Sequence, residues 1–194
     1  MTQISKTDNG NLVAKLELRR HFLRKYHADG KASILDCCQG GGVIWSQLRS
    51  EFAVARYWGV DVKPKKGRLG IDSVRILEQP GWMQNVIDVD TYGEPWPHWF
   101  AVLRNLSQPT TVFLTAGKKN NTTASNQVLG LAGIRFKRAK LPLAIRAKLY
   151  GRLTDFAMFT IPPSVRIVEA AEAGMGRECD TRYIGIRVEP VGPL

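Results

Sequence analysis

The stretch Ala32-Ser33-Ile34-Leu35-Asp36-Cys37-Cys38-Gln39-Gly40-Gly41-Gly42 constrains the fold of this chain more than any other. It is a short apolar run that closes on an acid and then on three glycines. An apolar run of this length reads as a buried strand. Consecutive glycines let the chain turn sharply and leave no Cβ between the backbone and a ligand. Val43-Ile44-Trp45-Ser46-Gln47-Leu48 then follows with helical spacing. Strand, glycine turn and helix in this order open a nucleotide-binding α/β domain.

The rest of the chain extends this pattern. Residues 1–10 are polar and read as a mobile arm, and residues 11–194 as a single domain. Asn11 to His27 has helical periodicity, with Leu12, Leu16, Leu18, Phe22, Leu23 and Tyr26 on one arc. Lys15 and Arg19 intrude on that apolar side. Two readings are open for them: stems along the edge with heads in water, or contacts to phosphate. Strands are expected at 33–38, 55–60, near 69–71, at 85–90 and at 110–115. Helices are expected at 44–52, 74–78 and after Pro95, since proline suits a first helical turn. Residues 122–160 read as mostly helical, and strands at 165–170 and 182–189 as an antiparallel pair. The fold class is therefore α/β: a doubly wound, mostly parallel, Rossmann-like sheet with an antiparallel final pair.

Ligands of such sheets bind beyond the carboxyl ends of the strands. Those ends carry Gly40 to Gly42, Asp61, Asp72 and Asp90. Asp61 stands about 20 residues past the glycine turn, where a carboxylate accepts bonds from ribose hydroxyls. A dinucleotide site needs Gly-x-Gly-x-x-Gly. After Gly40 and Gly42 the third position is Trp45, so that fingerprint fails. A ligand with a ribose, an amino-acid tail and a sulfonium cation suits acids at several strand ends better.

At these residues the chain resembles a known family. Asp36-x-Cys38-x-Gly40-x-Gly42 is similar to the Asp-x-Gly-x-Gly-x-Gly motif of the class I S-adenosylmethionine-dependent methyltransferases, with Cys38 in place of the first glycine. The resemblance spans about residues 32–190. It implies S-adenosylmethionine as cofactor, held by Asp36, Cys38, Gln39, Gly40, Gly41, Gly42, Asp61, Asp72, Ser73 and Asp88. Asp61 would bind the ribose and Asp72 would lie near the adenine. Ile87-Asp88-Val89-Asp90-Thr91-Tyr92-Gly93-Glu94-Pro95 is similar to the Asp-Ile-Asp-Pro-Phe-Gly-Ser-Pro signature of the tRNA guanine dimethyltransferases, which methylate an exocyclic amine. Thr91 replaces a proline there and Glu94 a serine. The chain has no room for the large C-terminal domain of those enzymes.

The implied catalytic residues are Asp90, as acceptor for the amine N–H, and Tyr92, stacking on the base. Loop capping for Asp90 and rim packing for Tyr92 are the plainer readings. Asp88 reads as a loop brace, and Trp96 and His98 as structural.

The chain has 194 residues and a net charge of +11, which favours an anionic partner, nucleic acid and RNA foremost. Arg135, Lys137, Arg138, Lys140 and Arg146 lie in the densest basic segment and are the expected nucleic-acid contacts. Cys37, Cys38 and Cys179 match no zinc spacing and no disulfide frame, and Cys37 and Cys38 read as small buried hydrophobes. No metal is expected. With no signal region and no membrane-length apolar run, the expectation is a cytoplasmic protein. A methyltransferase-like binding module without activity, and a methyltransferase acting on a protein or small molecule, are the competing functions.

Overall fold

The computed structural model describes residues 11–63, 70–91, 95–117, 154–173 and 181–192. In chain order these form α1 (Leu12–Tyr26), β1 (Ser33–Asp36), α2 (Val43–Glu51), β2 (Arg56–Gly59), α3 (Ser73–Leu77), β3 (Val86–Val89), α4 (Trp96–Asn105), β4 (Thr110–Gly117), β5 (Val165–Ala173) and β6 (Thr181–Pro190). Residues 154–159 are also helical. The strands make one sheet in the order β2-β1-β3-β4-β6-β5. The first four are parallel, and β6 pairs antiparallel with both β4 and β5.

The period of two along a strand explains why the strands read as continuous apolar runs. Ile34, Val86, Phe113 and Tyr183 pack with Phe22, Trp45 and Leu48 of α1 and α2. Their chain neighbours Leu35, Ile87, Val112 and Ile184 pack on the other face, with Leu77, Trp99 and Val102 of α3 and α4. A sheet covered on both faces has no polar side to show. α1 lies close enough that a Cβ on Gly185 of β6 would sit 2.5 Å from Phe22 Cε2, so glycine is required there.

One expected strand is not formed. Gly70 and Ile71 are irregular, and among the described residues the Ile71 N–H donates to Asp61 O at 3.0 Å outside any strand ladder. A run this short, interrupted by glycine, has too few residues to sustain a ladder. Asp72 therefore follows a loop rather than a strand. The expected helical segment at 122–160 lies mostly outside the described residues, as does the arm at 1–10. No helix among the described residues is long and apolar enough to cross a membrane.

Candidate active site at the strand ends

The glycine turn leaves β1 at the carboxyl edge of the parallel strands. The order reverses beside it: β2 lies on one side of β1 and β3 on the other. Gly40 and Gly42 have φ of +49° and +69°, which L side chains rarely adopt, and Gly40 and Gly41 are exposed. Cys38 needs no glycine. Among the described residues every left-handed φ belongs to a glycine. The half-buried Cys38 side chain packs against the core shared with α3 and α4. Trp45, where a dinucleotide site keeps its third glycine, is buried and donates its indole N–H to Asp88 Oδ2 at 2.7 Å.

Asp61 faces the turn. Its Oδ2 accepts the Gly40 N–H at 3.0 Å and its Oδ1 accepts the Lys63 N–H at 2.7 Å. Gln39 lies over Gly59 and donates to the Tyr57 hydroxyl at 3.3 Å. Tyr57 in turn donates to Asp36 Oδ2 at 2.8 Å. Asp36 pairs in register with Asp88 across β1 and β3. Burial first, and then the neighbouring Asp88, push the Asp36 carboxyl up to about 7. Cys38 reports the same field. Its thiol is pushed up by burial and then by Asp36, Asp61, Asp90 and Asp88.

The two basic residues on the apolar side of α1, Lys15 and Arg19, are buried against acids of the sheet. Arg19 meets Asp88 with two bonds, Nε to Oδ2 at 2.7 Å and Nη2 to Oδ1 at 2.6 Å. Lys15 Nζ lies 2.8 and 2.7 Å from the two oxygens of Asp90. Geometry makes the match. Residues i and i+4 of a helix are about 6 Å apart along its axis. Residues i and i+2 of a strand are about 6.6 Å apart, on one face. Two cations at helical spacing therefore meet two acids at strand spacing. The sequence singles out Lys15 and Arg19 on α1, but reading it element by element does not find Asp90 and Asp88 as their partners. The signal was present: basic residues four apart on an apolar helix face, and acids two apart on a buried strand.

The remaining expected residues divide. Asp36, Cys38, Gln39, Gly40, Gly41, Gly42, Asp61 and Asp90 gather at one edge of the sheet. Asp88 is there too, but buried, with both oxygens bound within the protein. Asp72 caps α3, accepting the Val74 N–H at 3.0 Å. Ser73 points inward, donating to Cys37 O at 3.1 Å and bonding His98 Nε2 at 2.8 Å. That bond and the burial of Trp96 and His98 agree with a structural role for both. Thr91, beside Asp90, has a buried hydroxyl with no hydrogen-bond partner among the described residues. Tyr92, Arg135, Lys137, Arg138, Lys140, Arg146 and Cys179 lie outside the described residues. Among the described residues no cluster of His, Cys, Asp and Glu could hold a metal ion.

The site suits the implied cofactor. Left-handed glycines keep the turn free of side chains. Asp61 retains acceptor capacity beyond its two backbone bonds. Asp61 beside the turn supplies negative charge, which suits a cationic ligand.

No protein-family model matches the chain, and no curated protein matches its sequence. Solved structures do match its fold. Trm1 from Pyrococcus horikoshii, solved with S-adenosyl-L-methionine, superposes with a TM-score of 0.59 at 14% identity, over 93% of this chain and 56% of Trm1. The inferred methyltransferase yhhF from Escherichia coli gives 0.53 at 16% identity, covering 90% of this chain and 85% of the other. An inferred rRNA methylase from Clostridium thermocellum gives 0.55 at 9% identity, covering 92% and 97%. The chain has the Rossmann-like fold of the S-adenosylmethionine-dependent methyltransferases.

Proposed function

We propose that the chain is an S-adenosylmethionine-dependent methyltransferase whose acceptor is an exocyclic amine of a nucleic-acid base, RNA before DNA. The observation that carries this reading is the glycine turn at the strand ends, with Gly40 and Gly42 at positive φ and Asp61 Oδ2 accepting the Gly40 N–H at 3.0 Å, beside Asp36 and Asp88 paired across β1 and β3. Cys38 at the same turn needs no glycine. Asp36, Asp61, Asp88 and Asp90 are the acids of this site. Two of these acids, Asp88 and Asp90, are neutralised by Arg19 and Lys15. Asp61 is left to face a cationic ligand, and the buried Asp36, raised to about 7, adds its charge only when ionised.

When bound, S-adenosylmethionine supplies the methyl group, and the electron pair of the broken C–S bond stays on sulfur as the substrate nitrogen forms the new C–N bond. The chain's own part is placement. The backbone of Gly40 to Gly42 and the carboxylate of Asp61 hold the donor, with the buried Asp36 carboxyl behind the turn. Asp90 accepts N–H bonds from the amine, returning electron density to a nitrogen whose lone pair is spread into the ring. Positioning of this kind supplies much of the rate. Tyr92 stacks on the base, and the basic run from Arg135 to Arg146 carries the phosphate contacts. The departure at Cys38, which favoured an inactive binding module, loses its force because the backbone there needs no glycine.

Calorimetry with S-adenosylmethionine, followed by transfer of labelled methyl groups to unfractionated tRNA and rRNA, tests the proposal. The expected result is cofactor binding, lost at least tenfold in Asp61→Ala, and base methylation lost in Asp90→Ala with affinity kept. A folded protein that gives no binding heat would remove the cofactor from the proposal.

A further inference from the structure

The two buried ion pairs of α1 differ in one respect. Arg19 and Asp88 are sealed, each side chain 1% exposed. Lys15 is 7% exposed, but Asp90 is 19% exposed and so stands at the rim. Lys15 spans both Asp90 oxygens, and its ammonium also sits 5.1 Å from the ring centroid of Tyr183 on β6. An ionised carboxylate has about four acceptor positions. The lysine occupies two, from the α1 side, and the Thr115 hydroxyl on β4 bonds the carboxylate as well. Among the described residues these are its partners, and the exposed side of the carboxylate is left for a ligand.

Burying such a pair seldom adds stability over an apolar pair of similar size. What it does provide is a carboxylate of fixed place and charge. We propose that Lys15 is a positioning residue that holds Asp90 as a permanent hydrogen-bond acceptor for a neutral, ring-conjugated amine, and that it disfavours cationic amines as substrates. This rests on the reading of the chain as a methyltransferase with Asp90 in its acceptor site.

The groups around Asp90 come from several elements: Lys15 and Arg19 on α1, Cys38 after β1, Thr115 on β4 and Tyr183 across Lys15 on β6, with Asp36 and Asp88 sharing Arg19 with it. Burial raises its carboxyl, but Arg19 and then Lys15 outweigh burial and hold it below the usual carboxylate range. Asp90 therefore stays ionised near neutral pH and is poorly matched to proton abstraction, which is most efficient for a base with pKa near the working pH. A base amine needs no proton removed before it attacks. Its N–H bonds point to Asp90, and the proton of the methylated product leaves to water. An aliphatic ammonium, such as a lysine side chain, must first be deprotonated and would meet the charge of Lys15.

The test uses the full chain with carbon-13 in its aspartate carboxyl groups, the Asp90 signal being assigned with Asp90→Asn. In wild type that signal should not titrate near neutrality. In Lys15→Met its midpoint should rise by about 1 to 3 pH units, and in Lys15→Arg it should stay low. Methyl transfer to RNA should acquire a matching acid limb in Lys15→Met alone, and a lysine-rich peptide should remain unmethylated. Circular dichroism checks the fold, with Lys15→Gln replacing Lys15→Met if the latter does not fold. An Asp90 titration unmoved by loss of the ammonium overturns the role of Lys15. Methylation of the peptide in preference to RNA overturns the substrate class. Full activity in Asp90→Asn would instead remove the underlying reading of the site, a distinct result.

Discussion

Arg19 and Asp88 close on each other with two bonds of 2.7 and 2.6 Å across the contact between α1 and β3, and neither side chain reaches water. Asp88 also accepts the Trp45 indole N–H from α2. Arg19 Nη1 donates to Lys15 O at 2.9 Å. One buried carboxylate thus joins the helix before β1, the helix after the glycine turn, and the strand that leads to Asp90.

Breaking this pair leaves an uncompensated buried charge. Arg19→Met should destabilise the protein by about 3–5 kcal/mol in urea unfolding. Arg19→Met with Asp88→Asn should recover part of the loss, because asparagine still accepts the Trp45 N–H and carries no charge. Equal losses in the single and double variants would show that packing of the arginine stem, not charge, sets the cost.

Stability should fall on mild acidification. Burial pushes His27 and His98 down to about 4 from 6.5, so both stay neutral in the fold. Between those values the unfolded chain binds more protons, and stability is lost as pH falls through the window, by up to about 3 kcal/mol per histidine. Asp36, raised to about 7 from 3.8, acts in the opposite sense, its contribution decreasing as pH rises. Glu169, held down to about 2 by bonds from Lys25, Tyr26 and His21, adds a loss only below its usual 4.5. His27 and His98 both bond through Nε2, which a glutamine amide can mimic. In His27→Gln/His98→Gln the decline between about pH 6.5 and 4 should vanish or reverse. An unchanged pH profile of urea midpoints would contradict this assignment.

Restoring the family glycine should not help. Cys38→Gly should leave cofactor affinity no higher by calorimetry. It should lower stability by about 0.5–1 kcal/mol for backbone freedom alone, with lost core packing in addition. A clear gain in affinity would show that the thiol obstructs the site.

The parallel sheet, the glycine turn and the acid beyond β2 were legible because each is local. An apolar run, a glycine cluster and a charged residue at the end of a strand carry their meaning within a few residues. The expected strand at 69–71 failed for the converse reason: two or three residues beside a glycine hold too little propensity to form an edge unaided. Ser73 reads in the sequence as a cofactor contact, and only packing decides that its hydroxyl turns to His98 and Cys37.

By itself, the sequence determined most of the alternation of strands and helices and the glycines of the turn after β1, while the strand order that puts the switch point beside β1 came from the structure. The alternation and the glycines follow from periodicity and backbone sterics within short segments. The tertiary structure alone decided the partners of the buried charges. Lys15 and Asp90 are 75 residues apart, and Arg19 and Asp88 are 69 apart. A charge brought out of water needs an opposite charge nearby, and which one it finds depends on how α1 lies across the sheet.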